Sequence, residues 1–346
     1  MKPLKNLSID ELLDHREELI DARAGGEDYH LNQIIAIEEM LLRKFSQEED
    51  NEYSVRKIKE DLIKHLVKYG TYLKTEFRQD DRSAMLTLKK ALKYDREIPQ
   101  AYYRLGFLAY KEEDYAASLK YFQKALWFHK ENPKCDFALS KQQQYNANLY
   151  LSNCALYIAA DAQKVSEKLA EDIDVEEKTI GSLALSPLYE LIAENDRYLM
   201  KHAYTVFIPS ETRYCSRPEY EELDVEYQDH VLLDLAGTEI SLGYRELRVN
   251  LSIGLAEVLL ILMKGSSPVQ PAEKHVMQDV LQSKVGELDT NTYSQTIKRI
   301  REKFKKLGLP GELIVTVPKT EKRDTAYYYD ASFQPYLVIQ RTDDIR

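Results

Sequence analysis

Glycine and proline are scarce, with twelve Gly and eleven Pro in 346 residues. Few breakers imply long uninterrupted helices, at least over the first two thirds of the chain. Cysteine is scarcer still. Cys135, Cys154 and Cys215 are odd in number, widely spaced and without a CxxC pair, which argues against a disulfide frame or a zinc site and for reduced thiols. No run approaches eighteen apolar residues, so no membrane span is expected. The opening MKPLKNLSIDELLDHREE lacks the apolar core of a secretion signal, and the chain reads as cytoplasmic. GxxxxGK[ST], GxGxxG, HExxH and GxSxG are all missing. The seven His, at 15, 30, 65, 129, 202, 230 and 275, are dispersed, with no pair at metal-ligand spacing. Carboxylate pairs such as Glu221-Glu222 fall in an expected linker, where the raised pKa of a catalytic acid is hard to arrange. The expectation is a non-enzymatic protein with no catalytic residue, no cofactor and no metal.

What is present points to packed domains. The chain is 44% hydrophobic and 31% charged, ample for cores, and its length suggests two domains or three. Ser8-Ile-Asp-Glu11 fits a capping box, predicting a helix to about Arg23 that stops at Gly25-Gly26. A second helix is expected over 28–45, closed by the acidic connector Gln47–Glu52. Together they make an N-terminal helical hairpin, residues 1–50.

From about residue 53 the chain repeats. Ala84, Leu88 and Ala91-Leu92 recur 34 residues later as Ser118, Phe122 and Ala125-Leu126. The better unit, Pro99 to about Lys130, resembles the tetratricopeptide (TPR) pattern at Tyr102, Leu105, Gly106, Tyr115, Phe122 and Ala125. It departs at Ala109, where an aromatic is usual, and at Pro133, which arrives late. The resemblance implies a stacked helical array over 51–205; helical hairpins without that ancestry are the plainer alternative. In the unit beginning at Pro99, Tyr102, Leu105 and Ala109 take the inward places. Gln100, Tyr103, Phe107 and Tyr110 turn away, with the three aromatics at i, i+4 and i+7. On the concave side of a TPR array they would anchor a peptide or protein partner. Helices from residues 8–45 folding over them as ordinary core is the competing expectation.

Residues 206–228, with two prolines and an acidic cluster, read as a linker. Then come three short runs with the look of strands, "HVLLDLAG", "TEISLG" and "YRELRVNLS". Helices are expected at about 253–264, 271–284 and 291–307, and a hairpin from the runs 313–317 and 326–329. This order resembles an OmpR-type winged helix over about residues 225–330. "TYSQTIKRIREKFKKLGL" stands in place of its recognition helix, with Ile297, Ile300 and Arg301 matching the family's core, and "LIVTVPKTEKRDTAYYY" in place of its wing. The wing lacks the family's usual glycines, and no phosphoacceptor receiver precedes it. The expected fold is mainly α: a TPR-like array, then a small α+β winged-helix domain over 229–346 with a C-terminal tail.

The residues themselves agree with that reading. Ile297, Ile300, Phe304 and Leu307 fall within about 80° on a helical wheel. Opposite or beside them stand Asn291, Ser294, Gln295, Lys298, Arg299, Arg301 and Lys305. From Thr296 to Arg323 there are nine Lys and Arg, Lys319, Lys322 and Arg323 included, against three acids, whereas the whole chain carries −10. Such segregation is the footprint of a nucleic-acid face. Amides read adenine, Arg reads guanine and Lys meets phosphate. The expected partner is double-stranded DNA, bound by a homodimer on adjacent half-sites, and no membrane. The expected function is a transcriptional regulator whose array senses or docks a peptide or protein. The alternative is an adaptor in which both domains bind proteins and the basic helix grips an acidic one.

Overall fold

A computed structural model describes residues 4–24, 31–47, 51–74, 80–172, 187–237, 239–281, 290–318 and 325–342. Helices α1 (Ile9–Ala24), α2 (Leu31–Phe45), α3 (Glu52–Lys74), α4 (Asp81–Tyr94), α5 (Pro99–Lys111), α6 (Tyr115–Glu131), α7 (Lys141–Asp172) and α8 (Pro187–Lys201) come first. Strands β1 (Tyr204–Ile208) and β2 (Glu211–Cys215), helix α9 (Arg217–Glu226), and strands β3 (Val231–Asp234), β4 (Ser241–Tyr244) and β5 (Leu247–Asn250) follow. Then come α10 (Ile253–Gly265), α11 (Lys274–Leu281), α12 (Thr290–Lys306), β6 (Ile314–Val317), β7 (Ala326–Tyr329) and β8 (Tyr336–Arg341). The chain is mainly helical, with a small mixed sheet in its C-terminal half. Among the described residues no helix is long and apolar enough to cross a membrane.

Two compact units result, one made of Met1–His65, Thr75–Arg78 and Tyr204–Arg346, the other of Leu66–Lys74 and Gln79–Ala203. In the second, the 34-residue spacing has a structural basis. Asp80 caps α4 by accepting from the Ser83 amide at 2.9 Å, and Asp114 caps α6 by accepting from the Ala117 amide at 3.0 Å. Ala84, Leu88 and Ala91 of α4 are buried, as are Ser118, Phe122 and Ala125 of α6. Each second helix lies against a glycine of the helix before it. A Cβ on Gly70 would stand 2.8 Å from Leu88, and one on Gly106 would stand 3.0 Å from the Phe122 ring. Only hydrogen at these positions lets the helices approach so closely. Gly70 thus marks the first helix of the earlier hairpin, which its sequence conceals.

In the first unit the capping box forms: the Ser8 amide donates to Glu11 at 2.7 Å and the Glu11 amide to Ser8 Oγ at 3.1 Å. The expected stop at Gly25-Gly26 and part of the acidic connector lie outside the described residues. Helix α1 packs on α2 and also on α10, α11 and α12. Beneath it is a buried ionic group. Arg16 pairs with Glu38 at 2.7 Å and with Asp61 at 2.9 Å, and the His65 ring meets Glu38 at 2.8 Å. Burial pushes the Glu38 carboxyl up, but His65 and Arg16 outweigh it and hold the group below its ordinary value.

The stretch 206–228 is not the linker its prolines indicate. It completes β1, forms β2 antiparallel to it, and forms α9. Ser216-Arg-Pro-Glu219 is a capping box with a proline in the first turn, a helix start rather than a connector. Within the expected C-terminal tail, residues 336–341 form a strand. Strand β8 enters the middle of a six-stranded sheet, ordered β2-β1-β8-β3-β4-β5, antiparallel to β1 and parallel to β3. Leu232 pairs with Leu337 and Leu233 with Val338. The three expected strands appear as the β3-β4-β5 meander, and β6 pairs with β7 as the expected hairpin.

Candidate nucleic-acid interface

Helix α12 is amphipathic for a local reason: its apolar residues recur at three- and four-residue steps. Ile297, Ile300, Phe304 and Leu307 are buried in the core made with α10 and the strands. The helix ends where Gly308 takes a left-handed φ of 75°, a conformation that favours glycine after a last turn. Pro310 follows and prevents continuation.

Three side chains fix the helix in place. The Tyr293 hydroxyl donates to the Ala272 carbonyl at 2.9 Å, and its ring meets Tyr327 edge-on at 5.1 Å. Arg301 Nη2 donates to the Ile314 carbonyl at 2.6 Å and to Thr316 Oγ1 at 2.7 Å, with the guanidinium 5.7 Å from the centre of the Tyr327 ring. Lys303 donates to the Asn250 carbonyl at 2.7 Å, and burial with the nearby Lys306 charge lowers its pKa. Arg301 was expected among the DNA contacts; here its guanidinium clamps α12 to β6. Its place four residues after Ile297, beside the buried stripe, explains why.

The remaining expected contacts sort by position. Ser294, Gln295, Lys298, Arg299 and Lys305 are exposed, together with Lys306 and the acidic Glu302. Asn291 lies in the first turn of α12, its side chain outside the described residues, as are Lys319, Lys322 and Arg323. The exposed side of the helix therefore carries four cations, one carboxylate, a hydroxyl and an amide.

The expected partner anchor on α5 is not an open stripe. Gln100 is buried and donates to the Ala138 carbonyl at 3.2 Å. Tyr103 is fully buried, edge-on to Phe122 at 5.6 Å. Phe107 and Tyr110 are half-buried, each edge-on to Tyr150, at 6.0 and 4.9 Å. Helix α7 supplies the covering ring. The helices over residues 8–45, which sequence made the rival cover, belong to the other unit. Sequence reading also missed the amides of α7. Gln142, Asn146 and Asn153 recur at helical spacing on one side of it, and a Gln/Asn run at that period was the available signal.

Among the described residues no group of three or more His, Cys, Asp or Glu could hold a metal ion. No protein-family model, curated protein or solved structure matches this chain.

Proposed function

We propose that the chain is a DNA-binding transcriptional regulator, non-enzymatic, in which α12 enters the major groove and the helical array docks a protein partner. The carrying observation is the outward side of α12. Gln295, Lys298, Arg299 and Lys305 share it, while the opposite side is buried and Arg301 and Lys303 tie the helix down. A rigid helix presenting amide and cationic groups suits base edges and phosphates together. On this reading β3–β5, α10–α12 and β6–β7 form an OmpR-type winged helix, and α3–α6 form two TPR-type hairpins. One such helix covers little DNA, so two copies on adjacent half-sites are part of the proposal.

The test is a mobility shift on random duplex DNA at two salt concentrations, with polyglutamate as the competing anion. Retarded DNA whose affinity falls with salt is the expected result. Binding of polyglutamate but not of DNA at either salt would overturn it. That outcome would favour the adaptor reading, for which exposed Glu302 amid the cations of α12 is the supporting observation. A carboxylate there repels phosphate unless it accepts from a cytosine amino group.

A further inference from the structure

Helix α7 is 32 residues long, and only its first half is packed. Ala147, Tyr150, Asn153 and Cys154 are buried, and Tyr157 stacks on Tyr115 at 4.3 Å. Beyond Tyr157 no described residue of the helix is buried. A helix of about fifteen residues with no packed face is marginal in water. This part of α7 nevertheless carries an apolar stripe. Ala155, Ile158, Ala162, Val165 and Leu169 recur at alternating steps of three and four residues, the spacing of a coiled-coil seam. All five are exposed, Ile158 by 38%, Val165 by 56% and Leu169 by 54%.

The charges beside the stripe indicate what would cover it. Asp161 stands immediately before Ala162, and Lys168 immediately before Leu169, so both lie on the same edge of the seam. Within the helix Asp161 pairs with Lys164 at 3.1 Å, the side chains 67% and 71% exposed, a contact that water screens and that contributes little. When two such helices lie antiparallel, each edge faces the same edge of the other helix. Asp161 then meets Lys168 of the second copy, and Lys168 meets its Asp161, so the charges complement one another twice. The apolar residues match in that register too, with Ile158 opposite Leu169 and Ala162 opposite Val165. A parallel pair would instead set Ala162 against Ala162 and Asp161 beside Ser166, leaving a gap in the seam and no ion pair.

We infer that the exposed half of α7 is a pairing surface for a second copy of this chain, joined as an antiparallel two-helix coiled coil. The contact is two-fold symmetric, so it closes at two copies and does not propagate. The packed halves of the two α7 helices then lie at opposite ends of the seam. The inference deepens the proposed function, supplying the contact that two copies on DNA call for, and rests on that reading for its purpose alone.

The experiment is sedimentation equilibrium of the full chain without DNA. A seam of about two heptads is at the small end of interfaces, so the mean mass should rise from one copy to two between about 1 and about 300 μM. Val165→Glu with Leu169→Glu should leave one copy throughout. Asp161→Lys turns two attractive pairs into two repulsive ones and should weaken pairing about 15-fold, as should Lys168→Asp. Mixing those two variants restores both attractive pairs in a mixed dimer, whose dissociation constant should return to the native value. All four positions are exposed, and circular dichroism checks that each variant keeps its helices. A native chain that stays a single copy at about 300 μM overturns the inference, as does a dimer that Val165→Glu with Leu169→Glu leaves intact. Charge variants that each pair as tightly as the native chain overturn the antiparallel seam. A mobility shift run alongside keeps the two readings apart: a chain that pairs yet leaves DNA unretarded retains this inference and loses the other.

Discussion

Charge reversal on α12 gives the sharpest measure of its role. Lys298 and Lys305 are exposed seven residues apart on the same side of the helix, flanked by the exposed cations Arg299 and Lys306. Counted for one bound copy, if all four meet phosphate, log K falls against log salt with a slope of about −3.6. Raising salt from about 50 to about 200 mM then weakens binding about 150-fold. Lys298→Glu with Lys305→Glu removes two of the four contacts and leaves a slope of about −1.8. The same change in salt then weakens binding only about 12-fold. Both substitutions sit on the solvent side, away from the stripe Ile297, Ile300, Phe304 and Leu307, so the melting temperature should hold. Anisotropy titrations of random and selected duplexes at four salt concentrations give both slopes. A variant with native affinity and native slope would refute the assignment of this face to phosphate.

Gln295→Ala and Arg299→Ala should each lower discrimination between specific and random DNA by about 1–3 kcal/mol; an equal loss on both would make these residues phosphate anchors. Arg301→Ala releases the bonds to Ile314 and Thr316 and should cost about 1–3 kcal/mol in urea unfolding, with unchanged stability as the contrary outcome. Tyr103→Ala with Phe107→Ala should destabilise the chain by several kcal/mol, about 3–5 for the fully buried ring alone; an unaltered unfolding curve would restore the open anchor. Glu38→Gln leaves Arg16 and His65 buried without their shared charge and should cost about 3–5 kcal/mol. Because the native Glu38 carboxyl titrates below its ordinary 4.5, its contribution is present above that value. It is lost as pH falls through the lower native pKa. Urea midpoints taken down the acid range should therefore drop more steeply in the native chain than in Glu38→Gln, and parallel slopes would contradict the account.

Sequence reading succeeded where a pattern is local. The stripe of α12 follows from its own spacing, the Ser8 cap from four residues, and the β3–β5 meander from short runs punctuated by glycine. It failed where a partner lies far along the chain. Thr205-Val206-Phe207 and the run Tyr336–Arg341 look alike in isolation to ordered strand or idle connector, and only the pairing of β1 with β8 separates the two. The choice between an open and a buried Tyr103 stayed undecided because the wheel of α5 shows which side a ring faces but not that Phe122 and Tyr150 arrive there. Gly70 was legible in principle, since a glycine inside a helical pattern marks close approach, yet nothing nearby names Leu88 as its neighbour.

The place of β8 also sets an order of events. Among the described residues it is the last strand in sequence, and it is the one that joins β1 to β3. Until residues 336–341 exist, the β1–β2 hairpin and the β3–β5 meander are separate pieces, and each presents an unpaired strand edge. Local helices and hairpins can form early during synthesis, but the sheet closes only across about 130 residues, a slow kind of contact. A chain cut before Tyr336 would hold every element of the α12 face and still leave two open edges, which are ready templates for pairing with other chains. Aggregation of such a truncated chain, rather than simple loss of one strand, is the consequence of placing β8 at the centre.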